Sequence, residues 1–462
     1  MKRLFESIAF LVLISIIISC TQKTTVRDIS GIWEGTVQFP GFSYRIAFVF
    51  SADKDTQVDV IFPDQSDKAF SASSLKFFHL KISIVFDQIH AQFNGELNED
   101  KLTGIWEQAG RSMPLQMVQV KEISTLRRPQ TPKAPFPYNE QEISFENGNV
   151  HIAGTLTTPK NLNTFPAVIL IPGVGSHERD NTFFGHRPFF VIADFLTRNG
   201  IAVLRYDERG VGSSTGDRFS ATTEDFAQDV MAGVNYLILL PQIAEIGLIG
   251  HSEGGTIASL IAAQMDEISL IIVMGSPGLK GVDYNLQFEK SISKIMGASD
   301  EEIEKKIEFQ KKVLAMILEK ENEDSAAVEI DKLYLELDPN IPKKNRDASV
   351  KRFLSPWFKY NVTYNPSKTL QTITCPVLAL FGEKDMQVPP EGNAEAVKNA
   401  LMKSRNKNYE VRIIPGVNHY FQTAQTGSPD EYRLIEETLS PIVLDIMYNW
   451  IYEQQKKIKH TP

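Results

Sequence analysis

The chain has 462 residues, of which 42% are hydrophobic and 23% charged, a composition that excludes a disordered, collagen-like or fibrous protein. At about 150 residues per domain, this length predicts two or three folded units. The net charge of −9 and the lack of any run of five basic residues argue against a nucleic-acid-binding protein, which needs a basic surface. Two cysteines, Cys20 and Cys375, are too few for a disulfide framework or a cysteine-rich metal site, and the histidines lack metal-binding spacing, so we expect no metal site.

The N-terminal residues resemble a bacterial lipoprotein signal. The apolar run at residues 8–18 is too short for a membrane-spanning helix, which takes about 20 residues, but it suits a secretory signal. The run ends in Ser19-Cys20, and a small residue before a cysteine is similar to the lipobox, in which the chain is cut before a cysteine that then receives lipid. We predict a lipoprotein signal peptide at 1–19, lipidation of Cys20 and a tether at 20–29; a plain signal peptide is the alternative. The resemblance implies an exported protein of the bacterial cell envelope, attached to a membrane by its lipid.

Residues 30–122 predict a small all-β domain, either a sandwich or a barrel. Apolar and polar side chains alternate with period two, which buries one side of each strand, and turn residues separate the alternating runs. The buried sides of the three clearest runs are Phe42, Tyr44, Ile46, Phe48 and Phe50; Val58, Val60 and Phe62; and Ile82, Ile84 and Phe86.

One short motif of this region occurs twice, as Ser30-Gly31-Ile32-Trp33-Glu34 and as Thr103-Gly104-Ile105-Trp106-Glu107. Its Gly-x-Trp element is similar to that of lipocalin-like barrels, which bind ligands in a calyx. Because about 90 residues enclose only a small cavity, we interpret the repeat as two strand starts whose tryptophans close the ends of a small core. A ligand-binding calyx is the alternative.

A proline-rich linker is predicted at residues 123–139. Pro129, Pro132, Pro135 and Pro137 lie within nine residues of one another, which makes the connector stiff and extended.

The remaining chain, residues 140–456, predicts an α/β domain. Asn147-Gly148 favours a tight turn between two opening strands. Six apolar runs follow, typical of strands buried on both faces, and helical patterns lie between them. The hairpin and the later runs together predict an eight-stranded, mostly parallel sheet. The later runs are 167–171, 201–206, 243–249, 270–274, 377–381 and 410–414.

A helical insertion interrupts this pattern at about residues 280–370. Residues 299–337 are strongly charged and carry apolar side chains at helical spacing, and Ser299 with Glu302 fits a capping box. Because the insertion lies between two sheet strands, we predict a cap over the strand ends, with an inert surface bundle as the alternative.

A candidate nucleophile stands in Gly250-His251-Ser252-Glu253-Gly254. The motif follows the buried run 243–249 and opens an Ala/Ile/Leu-rich helix. A strand–turn–helix of this kind is the setting of a nucleophile elbow, which exposes the serine hydroxyl at the end of a sheet. We therefore predict that Ser252 is a catalytic nucleophile.

A serine nucleophile needs a general base and an acid that orients it. His419 follows the last short strand in Pro415-Gly416-Val417-Asn418-His419, which makes it the leading base among eight histidines. Asp385 follows the run 377–381, and Glu383 in the same loop is the alternative acid.

The oxyanion formed on attack needs amide donors that are already in place. One is expected from the backbone of Glu253. The other is expected from the glycine-containing loop Pro172-Gly173-Val174-Gly175-Ser176, where we nominate the amide of Val174.

These motifs together resemble the bacterial α/β-hydrolases of the serine aminopeptidase-like group, on its esterase branch, over about residues 140–455. The resemblance implies that Ser252, Asp385 and His419 form the triad and that the activity is carboxylic-ester hydrolysis. Relatives often carry Gly-Ser-Gly-Pro where this chain has Gly173-Val174-Gly175-Ser176. The other matching stretches are Glu178-Arg179-Asp180, Leu204 to Gly212, Gly250 to Gly255, Ser355-Pro356-Trp357-Phe358, Asn418-His419, Phe421-Gln422-Thr423 and Gly427-Ser428-Pro429.

The sequence thus predicts a serine hydrolase that cleaves small-molecule acyl esters through an acyl-enzyme, with no cofactor. Two alternatives stay open: a serine peptidase or aminopeptidase with the same triad, and a ligand-binding envelope lipoprotein with a degenerate hydrolase. Near the site, we expect Asp207 and Arg209 to stabilise their own loop, whereas Arg179 and Asp180 fit loop support and pocket lining equally well.

Overall fold

The computed structural model describes residues 29–459, with gaps at 40–41, 52–56, 65, 99, 109–110, 125–126 and 320–321. The predicted signal peptide, Cys20 and all but the last residue of the tether lie outside the described residues. Within them, no helix is both long and apolar enough to cross a membrane. The chain divides into two compact units, whose main boundary falls between Ser124 and Thr125.

The first unit is a nine-stranded antiparallel sheet over its described residues, with the order β4-β3-β2-β1-β9-β8-β7-β6-β5. The predicted all-β domain is therefore confirmed. Its strands are β1 (Gly31–Phe39), β2 (Phe42–Phe50), β3 (Val58–Phe62), β4 (Ser66–Ser71), β5 (Ser74–Phe78), β6 (Lys81–Phe86), β7 (Ala91–Asn98), β8 (Lys101–Gln108) and β9 (Arg111–Val120).

This sheet curls around one core. Strands β2 and β6 are five places apart in the strand order, which is about 24 Å in a flat sheet with a spacing of about 4.8 Å. The rings of Phe48 on β2 and Phe86 on β6 nevertheless have centroids only 5.8 Å apart. Trp33 and Trp106 are buried at 2% and 0% exposure. Aromatic side chains fill this interior, which favours the packed core over the calyx.

The second unit contains an eight-stranded sheet with the order β10-β11-β13-β12-β14-β15-β16-β17 over its described residues. Strand β11 is antiparallel to both of its neighbours, and the pairs from β13 to β17 are parallel. The predicted mostly parallel sheet is confirmed. Its strands are β10 (Tyr138–Asn147), β11 (Val150–Pro159), β12 (Phe165–Ile171), β13 (Ala202–Tyr206), β14 (Ile243–His251), β15 (Ile268–Met274), β16 (Val377–Gly382) and β17 (Tyr409–Ile414).

Helices cover both faces of this sheet because its strands are apolar on both sides. Ile169 on β12 packs with α2 (Thr223–Ile238), α3 (Glu253–Ala262) and α10 (Pro390–Lys403). The adjacent Val168 and Leu170 face the other way, toward α1 (Pro188–Arg198) and α12 (Pro441–Lys459). A short helix, α11 (Pro429–Tyr432), lies between β17 and α12.

The predicted insertion between β15 and β16 is helical and has its own small core, which includes Val313, Ile330, Phe353 and Phe358. The capping box is present, since the Ser299 amide donates to Glu302 Oε2 at 2.8 Å and the Glu302 amide donates to Ser299 Oγ at 3.3 Å. The helices of the insertion are α4 (Gly281–Ile295), α5 (Asp300–Glu319), α6 (Glu323–Leu337), α7 (Lys343–Phe353), α8 (Pro356–Thr363) and α9 (Pro366–Leu370).

Candidate active site

Ser252 lies on a sharp turn between the end of β14 and the start of α3. Its backbone has φ 54° and ψ −119°, a region that costs a non-glycine residue about 1–3 kcal/mol. The turn is possible only with glycines beside it. A Cβ at Gly250 would lie 2.0 Å from the Gly254 carbonyl oxygen, and one at Gly254 would lie 2.1 Å from the Ile171 carbonyl oxygen. This is the strand–turn–helix that the sequence predicts, and it leaves the serine side chain partly exposed.

His419 and Asp385 meet in two loops at the same edge of the sheet. The Nδ1 of His419 lies 2.7 Å from Oδ2 of Asp385, and both side chains are buried. The other carboxylate oxygen accepts the amides of Gln387 and Val388, each at 2.8 Å. Asp385 therefore has one oxygen fixed by backbone and one on the imidazole, which leaves Nε2 of His419 as the ring atom that can accept a proton.

The other candidate groups lie elsewhere or do other work. Glu383, the alternative acid, is exposed and accepts the amide of Gly416 at 2.8 Å. His151 pairs with Glu146 on the surface, and His186 is buried against Thr438 and the carbonyl of Tyr432.

His251 holds the backbone of the candidate base, a role that the sequence does not reveal. Its Nε2 lies 2.9 Å from the carbonyl oxygen of His419. Burial, aided by the neighbouring His419, lowers the pKa of His251 to about 3, so this ring is neutral at ordinary pH. A neutral ring with its proton on Nε2 donates to that carbonyl. The signal in the sequence was the position beside Ser252, but that position alone does not show which way the ring points.

Two backbone amides near Ser252 are free to stabilise a negative oxygen. Glu253 is the first residue of α3, and Val174 lies in the loop after β12. Across residues 29–459, apart from the gaps, neither amide N–H has a hydrogen-bond acceptor. His177 supports the same loop, since its Nε2 lies 3.1 Å from the Val174 carbonyl oxygen.

The carboxyl of Glu253 links the turn to the insertion. Its Oε1 accepts hydrogen bonds from Thr223 Oγ1 and from Trp357 Nε1, each at 2.7 Å. Burial raises the pKa of Glu253. Trp357 belongs to α8, so this contact fixes one helix of the insertion beside Ser252.

Ser252 and His419 line one cavity of about 220 Å³, which the insertion covers. A smaller cavity of about 30 Å³ shares Val174, Ser252 and Tyr284 with it. The cap predicted from the insertion's position is confirmed. The insertion contributes Tyr284, Asn285, Phe288, Arg352, Trp357, Phe358 and Asn361 to the larger cavity.

The charged residues after β12 and β13 stabilise loops. Arg179 donates from Nη2 to Asp207 at 2.9 Å, and Arg209 donates from Nε to Asp229 at 2.6 Å. Asp180 pairs with Arg205. None of these side chains lines the larger cavity as far as the structure describes it, which favours loop support over pocket lining for Arg179 and Asp180.

No group of three or more His, Cys, Asp or Glu among the described residues is arranged to hold a metal ion.

An eight-stranded, mostly parallel sheet with helices on both faces and a serine on the turn after a central strand defines an α/β-hydrolase. Residues 166–423, more than half of the chain, match the family described as serine aminopeptidase, S33. The chain belongs to this family, as its motifs indicate, and it is a hydrolase.

Relatives of this chain include proteins named as esterases. It is 23% identical to the esterase EstD of Thermotoga maritima over 319 residues, which are 69% of this chain and 68% of that protein. Est1E of Butyrivibrio proteoclasticus, solved with ferulic acid bound, is 20% identical with a TM-score of 0.42, and the match covers 68% of this chain and 99% of that one. Esterase Pf2001 of Pyrococcus furiosus is 18% identical with a TM-score of 0.42, and the match covers 70% of this chain and 96% of that one.

Proposed function

We propose that this hydrolase is a serine esterase that cleaves small carboxylic esters. The observation that carries the proposal is the meeting, at two adjoining cavities, of a serine on a strained turn, a buried His–Asp pair and two free backbone amides. The esterase name of its relative EstD supports the same reaction.

In the proposed mechanism, Ser252 Oγ attacks the ester carbonyl while His419 Nε2 accepts its proton. The carbonyl oxygen becomes negative and accepts the amides of Val174 and Glu253. The tetrahedral intermediate then collapses, and the alcohol leaves with the proton held by His419. Water then attacks the acyl-enzyme and loses a proton to the same Nε2. The second tetrahedral intermediate collapses, the Ser252–acyl bond breaks, and Ser252 Oγ takes the proton back from His419 as the carboxylic acid is released. Asp385 orients the imidazole and stabilises its protonated form throughout.

The cavity volumes support a small substrate. A volume of about 220 Å³ lies below the roughly 300–1,000 Å³ of typical ligand sites. The adjoining 30 Å³ holds about two or three water-sized groups, at about 10–15 Å³ each. We therefore expect short acyl chains to be preferred over long ones.

The test is hydrolysis of a graded series of p-nitrophenyl esters, compared with the Ser252→Ala variant. We expect the variant to lose at least about 10⁴-fold in kcat, and a fluorophosphonate probe to label the native protein but not the variant. Hydrolysis that persists in the variant would overturn the mechanism. A matched p-nitroanilide distinguishes the reactions: faster cleavage of the amide than of the ester would favour a peptidase.

We also propose export and attachment to a membrane through lipid on Cys20. The support is the signal-like sequence before this cysteine. In a bacterial host, the full chain should incorporate labelled palmitate and enter the detergent phase, and the Cys20→Ser variant should do neither. Labelling of the variant would refute the assignment.

A further inference from the structure

Arg352 places a permanent positive charge at the candidate active-site cavity. It lies near the C-terminal end of α7, in the insertion, and lines the larger cavity together with Ser252. Among the described residues that line this cavity there is no Asp, Glu or Lys. The cavity is otherwise aromatic and amide-rich, so this guanidinium sets its charge.

The guanidinium of Arg352 has no carboxylate partner in the part of the chain that the structure describes. Its carbon lies 5.7 Å from the ring centroid of Phe358, which also lines the cavity, and 5.8 Å from that of Phe353. Three other arginines of the second unit differ in this respect: Arg179, Arg205 and Arg209 all pair with aspartates. Arg352 is an exposed residue whose guanidinium lies over these rings without a carboxylate, which leaves its N–H donors available to a ligand.

The two carboxyl groups next to the described cavity residues are already engaged by other donors. The carboxylate of Asp385 is already occupied by His419 and by two backbone amides. The carboxyl of Glu253, in the adjoining cavity, accepts from Thr223 and Trp357. An anionic group on a bound substrate would therefore meet an open guanidinium.

We propose that Arg352 selects esters that carry a carboxylate remote from the scissile bond. The planar fork of a guanidinium binds both oxygens of a carboxylate, which gives direction as well as attraction. This inference rests on the proposed esterase function and names its substrate class. The carboxylate is carried either by the acyl chain or by the alcohol, and the two arms of the test separate these cases.

The probes are two ester pairs that differ in one charge. On the acyl side, mono-p-nitrophenyl glutarate is compared with p-nitrophenyl valerate. On the alcohol side, 4-acetoxybenzoate is compared with its methyl ester. The measured quantity is the ratio of kcat/KM for the anionic ester to that for the neutral ester.

In the native protein, we expect this ratio to favour the anionic ester in one of the two pairs. Arg352→Met should lower that ratio at least tenfold, and Arg352→Lys should lower it less, because the charge stays while the fork is lost. Lys351→Met is the matched control: Lys351 is the exposed neighbour on the same helix, carries the same charge and does not line the cavity. It should leave both rates unchanged.

Equal loss for the anionic and the neutral ester in Arg352→Met would overturn the proposal and assign Arg352 to packing. An unchanged ratio in both pairs would overturn it as well.

A binding measurement tests the anion site independently of the proposed ester hydrolysis. Monomethyl glutarate should bind Ser252→Ala at least tenfold more tightly than methyl valerate does, and the added Arg352→Met change should abolish the difference. If this binding difference is found but the native protein hydrolyses no ester, the anion-binding site is supported and the esterase proposal is rejected.

Discussion

At the scale of single residues, Asp385 is held so that an amide cannot replace it. One carboxylate oxygen accepts the amides of Gln387 and Val388. In Asp385→Asn, the side-chain oxygen must take that place, and the NH₂ group then faces Nδ1 of His419. The ring is forced to carry its proton on Nε2, where it cannot accept the serine proton. We expect kcat for ester hydrolysis to fall by about 10⁴-fold.

The control for this variant is Glu383→Gln, since Glu383 is an acid of the same loop whose side chain accepts the Gly416 amide. It should keep native turnover, and both variants should keep the native thermal midpoint within a few degrees. Loss of activity in Glu383→Gln with full activity in Asp385→Asn would reverse the assignment of the acid.

Glu208 predicts how stability depends on pH. Burial raises the pKa of Glu208 to about 8, while its carboxylate accepts the His177 amide at 2.9 Å. Between the ordinary pKa of a glutamate and about 8, the folded chain therefore keeps a proton that the unfolded chain has lost. The free energy of unfolding falls as the pH rises through this range. Glu208→Gln keeps an acceptor for the amide and does not titrate. We expect its advantage in thermal midpoint over the native protein to grow from pH 5 to pH 8 and then to level off; a constant difference across this range would contradict the assignment.

The positions of the candidate catalytic residues can be predicted from the sequence, but the contacts that fix their side chains cannot. Ser252, Asp385 and His419 each follow a recognisable apolar run, so their place at one sheet edge is predictable. The contact of Trp357 with Glu253 spans 104 residues, and no local pattern encodes it. The free amides depend on backbone direction, which the glycines of the loop permit but do not specify.

At the scale of elements, one hydrogen bond joins the insertion to the nucleophile turn. Trp357→Phe removes the donor from α8 to Glu253 and leaves a buried carboxyl with one partner fewer. We expect a loss of about 1–3 kcal/mol in the free energy of unfolding, measured by urea denaturation. Because α8 lines the cavity, KM for esters should also rise.

Trp450→Phe in α12 is the matched control. The Nε1 of Trp450 is buried but has no hydrogen-bond partner in the described structure, so the same change of ring removes no hydrogen bond. An equal loss of stability in both variants would show that ring packing, and not the contact with Glu253, explains the effect.

How well each strand or helix can be predicted from the sequence depends on how clear its apolar pattern is. Seven of the eight described strands of the second sheet are largely apolar runs or belong to the Asn147-Gly148 hairpin, so composition locates them, whereas β17 is shorter in its apolar content and includes Glu410 and Arg412. In the first unit, β4 (Ser66–Ser71) is an edge strand with a largely polar sequence. This strand gives no periodic signal, because Ala69 and Phe70 are its only apolar residues and they are adjacent in the sequence. The charged block at 299–337 predicts helix but not that a new helix begins at Glu323 with Asn322 as its N-cap.

At the scale of the whole molecule, each unit has its own hydrophobic core, which predicts separate effects of core mutations. Phe48 is fully buried, and its ring lies against those of Phe86, Phe93 and Trp106. Phe48→Ala removes most of a large aromatic side chain and leaves a cavity, so we expect it to destabilise the first unit by about 3–5 kcal/mol.

Phe78→Ala is the same substitution on the surface, since Phe78 is 73% exposed, and its cost should stay below about 0.5 kcal/mol. Calorimetry of the full chain should show one transition that moves to lower temperature in Phe48→Ala and another that stays in place. Below the first transition, kcat for a short ester should match that of the native protein, because the serine, the His–Asp pair and both free amides belong to the second unit. A single transition that shifts as a whole would instead show that the two cores unfold together.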